Sequence, residues 1–233
     1  MVFLNIIRRI IRWMVVAFLG STILAVVVLR FVPVYFTPLM FIRCAEQIKA
    51  GETMKLKHTW IPLGEMSKYM PVAVMASEDQ RFMNHHGFDY NAIEQAARHN
   101  RTSKRMHGAS TITQQTAKNV FLWPGRSWLR KGLEAYFTVL IELTWSKQRI
   151  MEVYLNSIEM GDGIYGAEAV AREHFGKEAS QLSRSECALI AATLPNPRVY
   201  SSKNPSPYML KRQRQIKHQM RFIPLFTKEK ENK

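Results

Sequence analysis

Residues 66–89 read MSKYMPVAVMASEDQRFMNHHGFD. Met66, Met70, Ala73, Val74 and Ser77 recur at spacings of three and four, which places them on one face of a helix. A helix with that face inward delivers Glu78 at its C-terminal end. Beyond it, EDQRFMNHHGFD gathers carboxylates and imidazoles around Gly87, whose presence implies a turn. A metal reading would use His85, His86 and Asp89. Adjacent His85 and His86 cannot face one metal from a regular helix, which counts against it. A catalytic carboxylate and a solvated helix end stay open, and the stretch taken alone favours the solvated end.

Helical periodicity continues outward from this stretch. Trp128, Leu129, Leu133, Tyr136, Phe137, Leu140 and Ile141 form an apolar stripe, and Ile150, Val153, Tyr154 and Ser157 form another. SRSE at 183–186 is a capping box that opens CALIAATL, and Pro195 stops that helix. No convincing series of alternating strands and no internal repeat is present. The fold is expected to be all-α, or mainly so. The Lys- and Arg-rich segment from Lys203 onward reads as a solvated or membrane-facing end.

The chain has 33 Lys and Arg against 18 Asp and Glu, a formal net charge of +15, which calls for an anionic partner. The N-terminus narrows the choice. WMVVAFLGSTILAVVVL runs uncharged between Arg12 and Arg30, within the roughly 17–25 residues that cross a bilayer. A cleaved signal peptide has a shorter apolar region and an A-x-A-like site, which is not found here. The expected organisation is a cytoplasmic basic tail over 1–12, a transmembrane anchor over 13–36 and a juxtamembrane linker or helix over 37–57. Arg8, Arg9 and Arg12 keep the tail cytoplasmic by the positive-inside rule, although Arg30 and Arg43 weaken the bias. The bulk of the chain then lies outside the cytoplasm, which argues against nucleic acid as the partner. Cys44 and Cys187 show no metal-ligand spacing; a disulfide between them stays open, and their isolation favours unpaired buried thiols.

Two further segments carry polar chemistry. In HGASTITQQTAKN, residues 107–119, Thr111 and Gln114 fit a capping box. The helix start it marks also suits phosphate, with Lys118 and Arg126 placed to neutralise the same anion. Gln114 and Gln115 supply donors and acceptors for sugar hydroxyls. In RKGLE, Arg130 and Glu134 stand four apart, which an ordinary helix-surface ion pair explains. The alternative makes Glu134 a second carboxylate facing Glu78, as paired carboxylates serve chemistry at an anomeric carbon.

Together these segments resemble the peptidoglycan glycosyltransferase family, which occurs as single-domain enzymes and as one half of class A penicillin-binding proteins. The first motif is complete as Glu78, Asp79, Phe82, His85, Gly87 and Asp89. The second is GASTITQQ, with Ala109 where glycine is common. The third is RKGLE, the fourth KQRIMEVYLN (147–156), and a looser fifth is GIYGAEAVAREHFGK (163–177). The resemblance covers about 58–201, followed by a basic tail over 202–233. No S-x-x-K or K-T-G set follows, so it looks like the monofunctional, membrane-anchored form.

The resemblance implies a lysozyme-like domain outside the cytoplasmic membrane that joins lipid II units into glycan strands. Glu78 would be the base that takes the acceptor hydroxyl proton, and Glu134 the second catalytic carboxylate. Pyrophosphate leaves as an anion, so cations rather than an acid are needed. Lys118, Arg126, Arg130 and Lys131 are the candidates, with Glu134 orienting them or holding magnesium or manganese. Asp79, Arg81, Phe82, His85, Ser110, Thr111, Thr113, Gln114, Gln115, Lys147 and Asn156 complete the implied substrate-binding set. Other wall synthases or division proteins are conceivable partners. A lytic enzyme of the same fold and a non-catalytic glycan-binding protein are the rival readings.

Overall fold

The N-terminal unit of the computed structural model, Met1–Pro33, holds one helix, α1 (Val2–Leu29). The structure describes residues 2–103, 108–125 and 127–226. At 1.5 Å per residue α1 is about 42 Å long, and among the described helices it alone is long and apolar enough to cross a membrane. The apolar segment expected as a span over 13–36 is helical only to Leu29, and residues 30–37 leave the helix.

The second unit, Val34–Lys233, begins with α2 (Pro38–Lys49), capped by Thr37 with proline at its first position. After β1 (Lys57–His58) comes α3 (Tyr69–Glu78), in which every residue from Met70 to Ala76 is buried. A helix apolar on all sides belongs in the middle of a core. It packs against α9 (Arg184–Ala191) and α10 (Pro207–Gln219). Between them in sequence run α4 (Tyr90–Thr102), α5 (Ile112–Phe121), α6 (Trp128–Thr144) and α7 (Lys147–Ser157). Helix α5 packs against both α6 and α7. Then follow β2 (Glu159–Gly161), β3 (Ile164–Tyr165) and α8 (Ala167–Val170). The strands form a small sheet in the order β1-β3-β2, parallel between β1 and β3 and antiparallel between β2 and β3. Strands of two or three residues carry too little alternation to be read from sequence.

Three expectations change. The stripe expected to pack α6 is rotated: Trp128 and Leu129 are 93% and 70% exposed, while Arg130 and Glu134 are 9% and 3% exposed. Their mutual neutralisation lets that polar face turn inward beside Phe137, Thr138 and Ile141. The Arg130–Glu134 pair is therefore not a surface ion pair. The segment read as a basic tail from 202 contains α10, which buries Met209 and Ile216, with Met220 buried just after its end. Two or three apolar residues among many cations are enough to seat a helix against α3 and α9.

Candidate active site

Helix α3 ends at Glu78 because Asp79 leaves helical geometry, with φ −161° and ψ 78°. The two adjacent acids consequently face different surroundings. Asp79 is buried and accepts the His85 Nε2–H at 2.9 Å and the backbone N–H of Ile112 at 3.0 Å. It thereby fastens the start of α5 to the end of α3. Glu78 is half-buried, and its Oε2 accepts from Gln115 Nε2 at 3.1 Å. The Ser77 hydroxyl lies 2.9 Å from Glu78 Oε1. Both partners are neutral, and no cation forms an ion pair with Glu78 among the described residues. A carboxylate oxygen has room for a second donor, so Glu78 can still accept a substrate proton.

Gln115 is itself oriented. The Tyr154 hydroxyl donates to Gln115 Oε1 at 3.2 Å, which leaves the amide N–H to face Glu78. Tyr154 is fully buried, and burial, reinforced by the charges of Glu78 and Asp79, holds its hydroxyl well above the usual phenol range, as a proton donor. From the sequence Tyr154 reads only as a core position on α7. Its place on the helical stripe is right, but its polar tip reaches the site.

The turn after Glu78 is built around Gly87, at φ +85°, where an added Cβ would lie 2.7 Å from Thr138 Cγ2. The Gly87 carbonyl accepts from Thr111 Oγ1 at 2.6 Å. Thr111 and Gln114 form the expected capping box, so both are occupied in starting α5. Asp89 caps α4 and pairs with Arg81 at 3.3 Å.

One helical turn beyond Gln115 lies a cation cluster. Glu134 accepts from Arg130 Nη1 at 2.7 Å and from Lys131 Nζ. Half-buried Lys118 feels the charges of Glu134, Arg130, Lys131 and Glu78. Burial lowers its pKa, Arg130 and Lys131 lower it further, and Glu134 and Glu78 oppose the change. Lys118 has no hydrogen-bond or ion-pair partner among the described residues, a donor set suited to an incoming anion. Arg126, expected in the same role, lies outside the described residues. Both Glu134 oxygens are engaged by cations, and no cluster of three metal-binding side chains occurs among the described residues.

Other residues expected at the site serve the interior instead. Lys147 donates to the His85 carbonyl at 2.7 Å and to Glu142 Oε1 at 2.8 Å, above the buried Phe82 ring. Thr113 donates to the same Glu142 oxygen at 2.6 Å. Glu142 thus ties α6 to the starts of α5 and α7, a role no motif signalled. Asn156 is buried away from Glu78 and clamps Ile61 through both its amide groups. These side chains hold the scaffold rather than face the cleft.

The cleft has two lobes that share Ser77, Glu78 and Ser110. A cavity of about 430 Å³ reaches toward Arg81, Asn91 and Thr111. A larger one of about 1080 Å³ takes in Gln115 and, from α10, Tyr208, Lys211, Arg212 and Gln215. No motif pointed to α10. The only hint in the sequence is its cation density.

Comparison with known proteins gives a consistent picture. A family model described as Transglycosylase matches residues 45–221. The chain is similar to a biosynthetic peptidoglycan transglycosylase of Bacteroides thetaiotaomicron, with 57% identity over 94% of this chain and 90% of the relative. It is also similar to proteins of that name from Bdellovibrio bacteriovorus, 52% identical over 88% of this chain and 83% of the relative. One from Pseudomonas fluorescens is 50% identical over 94% and 88%.

Proposed function

The chain belongs to the Transglycosylase family and is a glycosyltransferase of peptidoglycan polymerisation, and from that premise we propose how its residues divide the work. The substrates are lipid II and the growing strand on its polyprenyl pyrophosphate. The acceptor's C4 hydroxyl oxygen attacks C1 of the donor sugar while Glu78 takes its proton. The C1–O bond to pyrophosphate breaks with inversion, and its electron pair leaves on the pyrophosphate oxygen. Lys118 meets that growing charge, with Arg130 and Lys131 behind it and Glu134 holding those two in place. Any divalent cation would be held largely by the pyrophosphate oxygens, and no step here depends on it.

One observation carries this reading. Glu78 lies in the cleft with neutral neighbours only, and its partner Gln115 stands one turn of α5 before Lys118, an unpaired lysine among the described residues that feels the charge of Glu78. Helix α1 serves as a membrane anchor in this proposal, with the catalytic unit on the periplasmic side. Its length and apolar composition support the anchor. The test is incubation of the purified full chain with labelled lipid II, with and without chelator. Polymer is the expected product. Fragments of added polymer, or no reaction in either condition, would overturn the reading.

A further inference from the structure

From Cys187 to Phe226 the chain contains no acidic residue. Lys203, Lys211, Arg212, Arg214, Lys217 and Arg221 make no ion pair among the described residues. Arg130 on α6 and Lys147 and Arg149 on α7, by contrast, are paired. Solvation explains an exposed cationic helix face in most proteins. Lys211 and Arg212 differ from Arg214 and Lys217 in one respect: they line the same cavity as Glu78.

That lobe has the character of a saccharide groove. Tyr208 is half-exposed, lies tilted beside Tyr200 with ring centroids 5.6 Å apart, and offers a flat apolar face. Gln215 adds an amide, and the volume exceeds that of the neighbouring lobe more than twofold. Pockets of roughly 300–1,000 Å³ enclose one compact ligand, so the larger lobe suits the longer of the two substrates. A dense, partly buried cluster of cations, as around Lys118, suits a pyrophosphate. Two open cations beside an aromatic face suit a sugar chain with carboxylates on its substituents.

We propose that α10 forms a strand-holding groove, in which Lys211 and Arg212 pair with carboxylates on the peptide stems of the growing glycan. The inference rests on the polymerase reading above. Its consequence is retention: a strand held between additions is extended again before it leaves. Weakened contacts on α10 would release it earlier.

The test compares two double variants of the full chain on lipid II bearing a carboxylate-containing peptide stem. Lys211→Ala with Arg212→Ala removes the groove cations. Arg214→Ala with Lys217→Ala removes the same charge from the same helix outside the groove. Exposed ion pairs are individually weak, so losing two contacts is expected to shorten strands about fivefold. The rate of lipid II consumption should fall by less. The second variant should retain strand length and rate, and both should melt like the wild type. On lipid II with amidated stem carboxylates, the wild type should itself make short strands. Unchanged lengths in the groove variant, equal shortening in both variants, or full-length strands from amidated substrate would overturn the proposal. Failure of the wild type to consume lipid II would instead strike the polymerase reading.

Discussion

Glu78 lines the cleft and Glu134 is buried on α6, and the protein treats the two glutamates in opposite ways. Glu78 is half-buried and meets an amide and a hydroxyl. Glu134 is buried and gripped by a guanidinium and an ammonium. Both Glu134 oxygens are taken up by cations of the protein itself, whereas the Glu78 oxygens meet single neutral donors and keep room for a substrate hydroxyl. The contrast supports the proposed division, with proton transfer at Glu78 and charge organisation at Glu134. On that proposal a base works within a chain of net charge +15 because it meets neutral partners, while Arg130 and Lys131 have an acid of their own.

Beyond Glu78 itself, the largest expected effect is at Lys118, which feels the charge of both carboxylates. Removing a preorganised charge partner typically costs about 10²–10³-fold in turnover, and Lys118→Met should do so. Stability should move the other way. Burial lowers the Lys118 pKa, so the unfolded chain binds the proton more tightly than the folded one. The charged lysine therefore costs stability at neutral pH, and that cost disappears as pH rises through the folded value toward 10.5. The variant should melt no lower than wild type at pH 7, measured calorimetrically. A marked fall would make Lys118 a structural counter-ion.

Glu134→Ala comes next and should reverse this pattern. Leaving Arg130 buried without its acid costs roughly 3 kcal/mol, seen as a lower midpoint in denaturant. Loss of turnover should accompany it as the cations lose their positions. A variant of unchanged stability would show that the pair is not buried in solution.

How far could the two roles be read in advance? The position of Glu78 at the end of α3 follows from the spacing of Met70, Ala73, Val74 and Ser77. The caps at Thr111 and Ser183 were equally plain. Burial of Glu134 was not, because hydrophobicity ranks Trp128 and Leu129 as core and Arg130 as surface. The inversion depends on Arg130 and Glu134 neutralising each other along α6, which lets a charged face turn inward. The role of α10 was hidden for a related reason. Its apolar contacts are sparse, and its link to Glu78 joins residues more than a hundred positions apart. Asp79 and Glu78 look alike as neighbours, and only the break in the helix between them separates anchor from base.

A smaller effect is expected at Tyr154. Phenylalanine would keep the core packing but release the Gln115 amide, whose hydrogen bond orients Glu78. A single hydrogen bond is worth about 1 kcal/mol, so turnover should fall about fivefold with little change in lipid II affinity. Unaltered turnover would show that Gln115 needs no orienting.

The smallest effect concerns acid. Burial lowers the pKa of His58 and of His174 below 6.5. Above that pH both states are neutral at these positions and nothing changes. As pH falls through 6.5, the unfolded chain gains protons that the folded chain resists, so stability declines. Denaturation midpoints across pH 7 to 5 should fall gently, with His58→Gln removing part of the slope. A midpoint that rises on acidification would contradict the assigned directions.

Chemical rescue addresses the division of labour between the two carboxylates most directly. Glu78→Ala leaves a space where a small carboxylate can stand in as base, whereas Glu134→Ala removes a counter-ion fixed within the fold. Lipid II polymerisation by each variant would be followed with increasing formate at constant ionic strength. The account predicts that Glu78→Ala is inactive alone and regains polymerisation in proportion to formate, while Glu134→Ala does not respond. Wild-type polymerisation by Glu78→Ala without formate, or rescue of Glu134→Ala in its place, would contradict it.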